Sequence, residues 1–291
     1  MTWLITGGSG QLGLALQAEL VLHEIDFVSV NSQDIDVTNQ ISVERVFDKV
    51  NPNTVINAAA WTDVDGAETH EPEAYAANAL GPRNLAVEAR NVGARLVHVS
   101  TDHVFSGPGT VPWDENAEHN PQSVYGSTKS MGEKFVLDSY PTGSFIVRTA
   151  WLYSADRKNF AKAMVKLALN GASEVRVVND QIGQPTLTSD LAKQIITLIL
   201  SDSPKGIYHG TSSGQASRFD FAKEIFRLTG ADVSRVIPVS SSEYPMQAKR
   251  PSYSVLSHNA WDKAKVQPMR NWQLALAEAM PSIISAVKLE G

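Results

Sequence analysis

The sequence predicts an α/β protein: a doubly wound parallel sheet with a smaller α/β lobe in the C-terminal half. Three observations carry this. Short apolar runs of strand length alternate with longer amphipathic segments through the first half of the chain. A glycine-rich turn, Gly7-Gly8-Ser9-Gly10-Gln11-Leu12-Gly13, follows the first apolar run and opens the first helical segment. Beyond about residue 150 the alternation loosens and the apolar runs shorten. The 291 residues exceed what one minimal domain needs. The expected division is a nucleotide-type sheet domain over 1–150 and mainly a substrate lobe over 151–291.

In chain order, residues 2–6 read as a strand. The helix after the glycine turn takes Leu14, Leu16, Leu20, Val21 and Leu22 as its apolar face. Residues 26–30 form a second strand. The helix over 38–50 turns Ile41, Val43, Val46, Phe47 and Val50 inward, and Pro52 stops it. A third strand is expected over 54–57. An Ala-rich helix runs from Pro72 to about Val92, and Pro82 should kink or split it, because proline lacks the amide the helix needs. Residues 95–100 form a fourth strand, 124–137 a helix, and 144–149 a fifth strand. Strands separated by helices of this length give a parallel sheet covered on both faces, with right-handed crossovers. In the second half, helices are expected over 159–170, 189–200, 217–228 and 271–289, the last bent at Pro281. Short strands are expected over 206–209 and 236–239. The run 173–178 reads as a return strand that joins the main sheet.

Composition narrows the function classes. Hydrophobic content of 43% and charged content of 19% fit a globular protein. A net charge of -6 argues against a general nucleic-acid or anionic-membrane binder. The chain has no cysteine. That excludes disulfides, thiolate zinc and a cysteine nucleophile, and it fits a reducing compartment. The N-terminus lacks a basic segment followed by a long apolar core, and no apolar run is long enough to span a bilayer. A cytoplasmic protein is expected.

Two motifs carry chemistry. Gly8, Gly10 and Gly13 satisfy G-x-G-x-x-G, and Gly7, Gly10 and Gly13 satisfy G-x-x-G-x-x-G. Between a strand and a helix this spacing is the dinucleotide fingerprint: glycines permit close backbone approach, and the helix N-terminus offers free N–H groups to a pyrophosphate. The sheet is therefore read as a Rossmann domain. Its second strand ends at Asn31, where the ribose-binding acid of such sites usually falls. Asn31 and Ser32 are neutral, so a 2'-phosphate is not repelled, and no Arg or Lys stands nearby to attract one. Asp36-Val37 either line an adenine or merely start the next helix.

The second motif is Tyr125-Gly126-Ser127-Thr128-Lys129. At i and i+4 of a helix a phenol and an ammonium stand side by side. A nearby cation lowers a phenol below its usual ~10, so the pair is expected to exchange a proton near neutral pH. Thr101, at a strand end, is placed to hold the same substrate oxygen.

With Thr101, Tyr125 and Lys129, the glycine turn resembles the extended short-chain dehydrogenase/reductase family. The segments GGSGQLG (7–13), NAAAWTDVDGA (57–67), STDHVFSG (100–107), VYGSTKSMGE (124–133), RTAWLY (148–153), NDQIGQPT (179–186) and Arg250-Pro251 are similar, in order and over nearly the whole chain, to the dTDP-4-dehydrorhamnose reductases within it. His103 departs from the tyrosine usual in STDYVF.

The resemblance implies an NAD(P)H-dependent reductase acting on a dTDP-4-keto-6-deoxy sugar. NADPH is the expected cofactor, with NADH also accepted. Tyr125 would protonate the sugar C4 oxygen as hydride arrives. Lys129 would tune Tyr125 and hold the nicotinamide ribose. Gly10, Gln11 and Leu12 would contact the pyrophosphate, within the Gly7–Gly13 turn. Asp36 and Val37 would meet the adenosine, beside Asn31. Ala58, Ala60, Trp61, Thr62 and Val99 would line the cofactor. Thr101, Asp102 and Trp151 would contact substrate, and Arg250 its diphosphate.

Plainer readings stand beside these: Trp151 as core, Arg250 as a solvated charge, Asp102 as a loop cap and His103 as a loop residue. Asp63 and Asp65 flank Val64 in a loop, and nothing at ligand spacing suggests a metal site. No metal is expected, and a monomer or homodimer is. Two other functions compete. One is a nucleotide-sugar epimerase or dehydratase that recycles bound NAD. The other is a non-catalytic regulatory subunit like the reductase-like subunit of methionine adenosyltransferase.

Overall fold

A computed structural model describes residues 2–290. The first half alternates strictly: β1 (Trp3–Thr6), α1 (Gln11–Leu22), β2 (Phe27–Val30), α2 (Gln40–Val50), β3 (Thr54–Asn57), α3 (Val64–Ala67), α4 (Glu71–Tyr75), a π-helical turn (Ala76–Leu80), α5 (Gly81–Asn91), β4 (Arg95–Thr101), α6 (Val124–Ser139) and β5 (Ser144–Thr149). The second half follows as β6 (Leu152–Tyr153), α7 (Phe160–Leu169), β7 (Val175–Val178), β8 (Ile182–Gly183), β9 (Thr186–Leu187), α8 (Thr188–Leu200), β10 (Gly206–His209), β11 (Ala216–Ser217), α9 (Arg218–Thr229), β12 (Val236–Val239), α10 (Asn259–Ala264) and α11 (Trp272–Glu290).

The main sheet has six strands in the order β10-β5-β4-β3-β1-β2, and every pairing is parallel. Side chains alternate across a strand, so register decides which core each residue enters. Ile5, Ile56, Val97 and Phe145 are partners across one row. They pack with Leu12, Leu16 and Leu20 of α1 and Leu191, Ile195 and Ile199 of α8. One residue earlier, Leu4, Val55 and Leu96 face the opposite side and pack with Val43 and Phe47 of α2, Leu85 of α5 and Val136 of α6. Helices thus cover both faces. A separate core, with Phe221, Ile225, Phe226, Trp272 and Leu276, holds the lobe of α7, α9, α11, β7 and β12 together.

Several expectations are corrected. The return strand expected near 173–178 does not join the main sheet: β7 pairs with β12 inside the lobe. The sixth place goes to β10, which pairs with β5. A crossover strand is reached through a helix lying on the sheet, and α8 does so while the apolar face of α7 belongs to the lobe core. On α1, Val21 and Leu22 are exposed and Leu12 replaces them in the core. Ile41 of α2 is exposed as well. The split expected of the Ala-rich helix at Pro82 is present: a π turn interrupts it just before the proline.

Candidate functional site

The strand order reverses between β1 and β3, and ligands of open α/β sheets bind outside the C-terminal ends at such a point. A cleft of about 740 Å³ opens there. Gly7 leaves β1 with φ +73°. A Cβ on Gly13 would lie 2.3 Å from the Gly7 carbonyl oxygen, so only glycine lets α1 sit this close to the turn. A Cβ on Gly10 would meet nothing nearer than 3.2 Å, because Gly10 faces the cleft. No side chain caps α1 and no acid stands in its first turn. Its leading N–H groups are therefore free for a pyrophosphate, and the residues present fit a dinucleotide.

The lobe fastens this turn from outside. Gln11 Oε1 accepts from Ser154 Oγ at 3.2 Å and Asn159 Nδ2 at 3.0 Å, and Arg157 Nε donates to the Ser9 carbonyl at 2.8 Å. Sequence reasoning missed these three partners, which lie more than 140 residues from the turn they hold and carry no motif.

All fifteen residues proposed for the cofactor line this one cleft: Gly7, Gly10, Gln11, Leu12, Gly13, Asn31, Asp36, Val37, Ala58, Ala60, Trp61, Thr62, Val99, Tyr125 and Lys129. At the end formed by β2, Asn31 Oδ1 accepts from Gln33 N at 2.8 Å, and Asp36 Oδ1 accepts from Thr38 N and Oγ1 at 3.0 and 2.7 Å. Both side chains thus shape turns as well as facing the cleft. Trp61 is pinned by its amide to Asn78 Oδ1 at 2.9 Å and by its indole N–H to the Asp63 carbonyl at 2.8 Å.

The other end of the cleft holds Tyr125 and Lys129. Ser123 caps α6 by accepting from Gly126 N at 3.1 Å. Gly126 packs so tightly that a Cβ would lie 2.3 Å from the His103 carbonyl oxygen, which brings the first turn of α6 against the end of β4. There the rings of His103 and Tyr125 meet edge to face at 5.5 Å. The Thr101 hydroxyl donates to Asp102 Oδ1 at 3.0 Å and accepts from His103 N at 3.2 Å. Lys129, buried, donates from Nζ to the Val99 carbonyl at 2.7 Å.

The electrostatics differ from the sequence expectation. Burial pushes Tyr125 up to about 12; the Thr101 hydroxyl pulls it back and the Asp102 charge pushes it further. Lys129 is not among the groups that shift it, and a freely exchanging phenolate near neutral pH is not what this environment makes. Burial pushes Lys129 down to about 8, while Glu133 one turn further along α6 opposes that shift. At pH 7 the site therefore holds a protonated phenol beside a mostly protonated amine. That state is suited to giving a proton to a strongly basic oxygen.

Glu133 leads into a buried network that sequence reasoning also missed. It accepts from Ser100 Oγ and from Arg148 Nε and Nη2, the latter at 2.7 Å. Arg148 further bonds the Glu115 carbonyl at 3.0 Å and His119 Nε2 at 2.7 Å. This ties the 102–123 loop to the sheet beneath Lys129.

The substrate-side residues are distributed differently. Thr101 and Asp102 are buried beside Tyr125, and Asp102 Oδ2 has no hydrogen-bond partner among the described residues. Trp151 is half-buried and adopts φ +48°. Arg250 lines two neighbouring cavities of about 630 and 460 Å³. It is not a solvated charge: both its Nη atoms bond the Asp65 carboxylate at 2.7 Å. Asp63 caps α3 through Gly66 N at 3.0 Å.

The chain resembles known proteins over almost its whole length. The family model described as the RmlD substrate binding domain matches residues 1–284. The dTDP-4-keto-6-deoxy-D-glucose reductase of Streptomyces niveus is 44% identical over 96% of each chain. The structure of a dTDP-4-dehydrorhamnose reductase from Clostridium acetobutylicum is similar with a TM-score of 0.93 at 44% identity, over 97% of this chain and 99% of that one. The enzyme of that name from Bacillus anthracis, in complex with NADP, gives 0.92 at 40% identity over 96% and 98%. Identity at this level across both lobes, with the glycine turn and the Tyr125–Lys129 pair at the two ends of one cleft, makes the chain a member of the dTDP-4-dehydrorhamnose reductase family.

Proposed function

We propose that the protein reduces a dTDP-4-keto-6-deoxy sugar at C4, with dTDP-4-dehydro-β-L-rhamnose as substrate and dTDP-β-L-rhamnose as product. The observation that carries the reading is the cleft itself, which runs from the glycine turn to Tyr125 and Lys129. The cofactor, NADPH in this reading, supplies hydride to C4. The free N–H groups at the start of α1 hold its pyrophosphate. Lys129 holds the nicotinamide ribose. Thr101 orients the reacting oxygen. Tyr125 donates the phenolic proton to that oxygen as charge develops on it, and the Thr101 hydroxyl, which pulls the phenol down against burial, favours the phenolate left behind. A phenol held near 12 remains protonated across the physiological range, which is the form a reduction needs.

NADPH is favoured over NADH because Asn31 and Ser32 at the end of β2 are neutral, and both should work because no Arg or Lys lines that end of the cleft among the described residues. The reading is of a cytoplasmic monomer or homodimer. Among the described residues, no helix is long and apolar enough to cross a membrane.

The test follows absorbance of reduced nicotinamide with a panel of dTDP-4-keto sugars. Reduced cofactor should disappear one-for-one with keto sugar. Product formed with only catalytic cofactor would favour an epimerase instead, and no turnover would favour a regulatory subunit. Tyr125→Phe should retain cofactor affinity and lose roughly 10²–10⁴-fold in kcat. Near-normal kcat in that variant, with hydride transfer rate-limiting, would mean that the proton comes from elsewhere.

A further inference from the structure

Arg218, the first residue of α9, was not singled out by any motif. Its guanidinium carbon lies over the Trp151 indole, 3.6 Å from the ring centroid, with the Phe160 centroid at 5.4 Å. Gly183 packs against the same indole: a Cβ there would lie 2.6 Å from it. Trp151 is thus a fixed platform in a left-handed backbone conformation, and Arg218 rests on it. Arg218 and Arg250 both line the cavity of about 460 Å³, with Phe160, Met164 and Val177; a third arginine there, Arg176, is paired with Glu243 at 2.9 Å.

Charge accounting separates the two arginines. Arg250 is neutralised by the Asp65 carboxylate in a two-bonded pair. Arg218 has no carboxylate or carbonyl partner for its side chain among the described residues; Asp102 is felt only at a distance. A guanidinium carries five N–H donors in a planar fork that matches phosphate oxygens. Stacking on an indole satisfies none of them. Arg218 is half-buried, and its donors remain open to whatever occupies the cavity.

The cavity is also in the right place. Arg218 and Arg250 both act electrostatically on His103, whose ring touches Tyr125. An anion between the two guanidinium groups therefore lies close to the reacting end of the cleft, with an apolar wall beside it for a nucleoside base.

We propose that Arg218 binds the diphosphate of the nucleotide-sugar, making with Arg250 a two-guanidinium site. This rests on the function proposed above and adds a residue to it. Stacking holds the fork of Arg218 in one plane before ligand arrives, which lowers the ordering cost of binding. Asp65 does the same for Arg250.

The test is calorimetric titration of the protein, saturated with NADP+, with dTDP and with thymidine, for the wild type, Arg218→Gln and Arg218→Lys. NADPH affinity and thermal midpoint of each variant serve as folding controls. Loss of a charge-assisted pair should weaken dTDP by about 10- to 100-fold in Arg218→Gln. Thymidine and NADPH should bind unchanged. KM for the keto sugar should rise by a similar factor with kcat little altered, and Arg218→Lys should recover part of the loss. Equal dTDP affinity in wild type and Arg218→Gln would overturn the assignment while leaving the proposed function intact. Equal weakening of dTDP and thymidine would overturn it too, and make Arg218 a support for Trp151. Wild-type protein that binds no dTDP and turns over no keto sugar would remove both the assignment and the function on which it rests.

Discussion

Replacing Glu133 by glutamine keeps the shape of the side chain and removes its charge. The Glu133 and Arg148 side chains are each 1% exposed, so the pair sits out of water. Glu133 is the only carboxylate hydrogen-bonded to Arg148 among the described residues; its remaining partners, the Glu115 carbonyl and the His119 and His209 rings, are not anions in that bond. The substitution therefore strands a buried guanidinium, which typically costs about 3–5 kcal/mol. In a protein of this size that corresponds to a midpoint lower by roughly 10 °C in thermal unfolding. Unfolding followed by circular dichroism, in heat and in urea, measures it. The same change removes the group that opposes the burial shift of Lys129. The Lys129 pKa should then fall further below about 8, and its cation should be lost at lower pH. The alkaline limb of the kcat/KM profile should move down accordingly. A loss of stability under about 1 kcal/mol, or an alkaline limb that stays or moves up, would refute the argument that Glu133 carries both roles.

Three further outcomes follow from the site. The wild-type kcat/KM should decline as pH rises through about 8, where Lys129 loses its proton; a flat profile to pH 10 would separate Lys129 charge from the chemistry. Asn31→Asp should shift preference towards NADH by about tenfold, because a carboxylate repels a 2'-phosphate by about 1 kcal/mol per unit charge even in water, and an unchanged ratio of kcat/KM values would show that Asn31 is not at the ribose. Gly13→Ala should destabilise by about 1–3 kcal/mol, since its Cβ meets the backbone of the glycine turn rather than a movable side chain; it should also raise the NADPH Kd, and a normal Kd would mean that the turn is not the pyrophosphate site.

The sequence by itself determined the parts of this protein whose reasons are local. Short continuous apolar runs placed the first five strands, because a strand buried on both faces must be apolar along its length. The glycine turn was legible because backbone approach without Cβ leaves no residue choice. The i, i+4 relation of Tyr125 and Lys129 needed only a helix. Where contacts come from far along the chain, the sequence was silent or misleading. Which short run becomes the sixth strand depended on whether its preceding helix packs on α1 or in the lobe, and 173–178 and 206–209 look alike locally. The faces of α1 and α2 shifted because a helix turns its side chains by its neighbours, not by its composition, leaving Val21, Leu22 and Ile41 outside. The Tyr125 proton is governed by burial, which arises when α6 closes on β4, rather than by the lysine one turn away. Arg218, Arg157 and Glu133 are ordinary charged residues in the chain, and each meets its partner, Trp151, the Ser9 carbonyl or Arg148, only through the packing of distant segments.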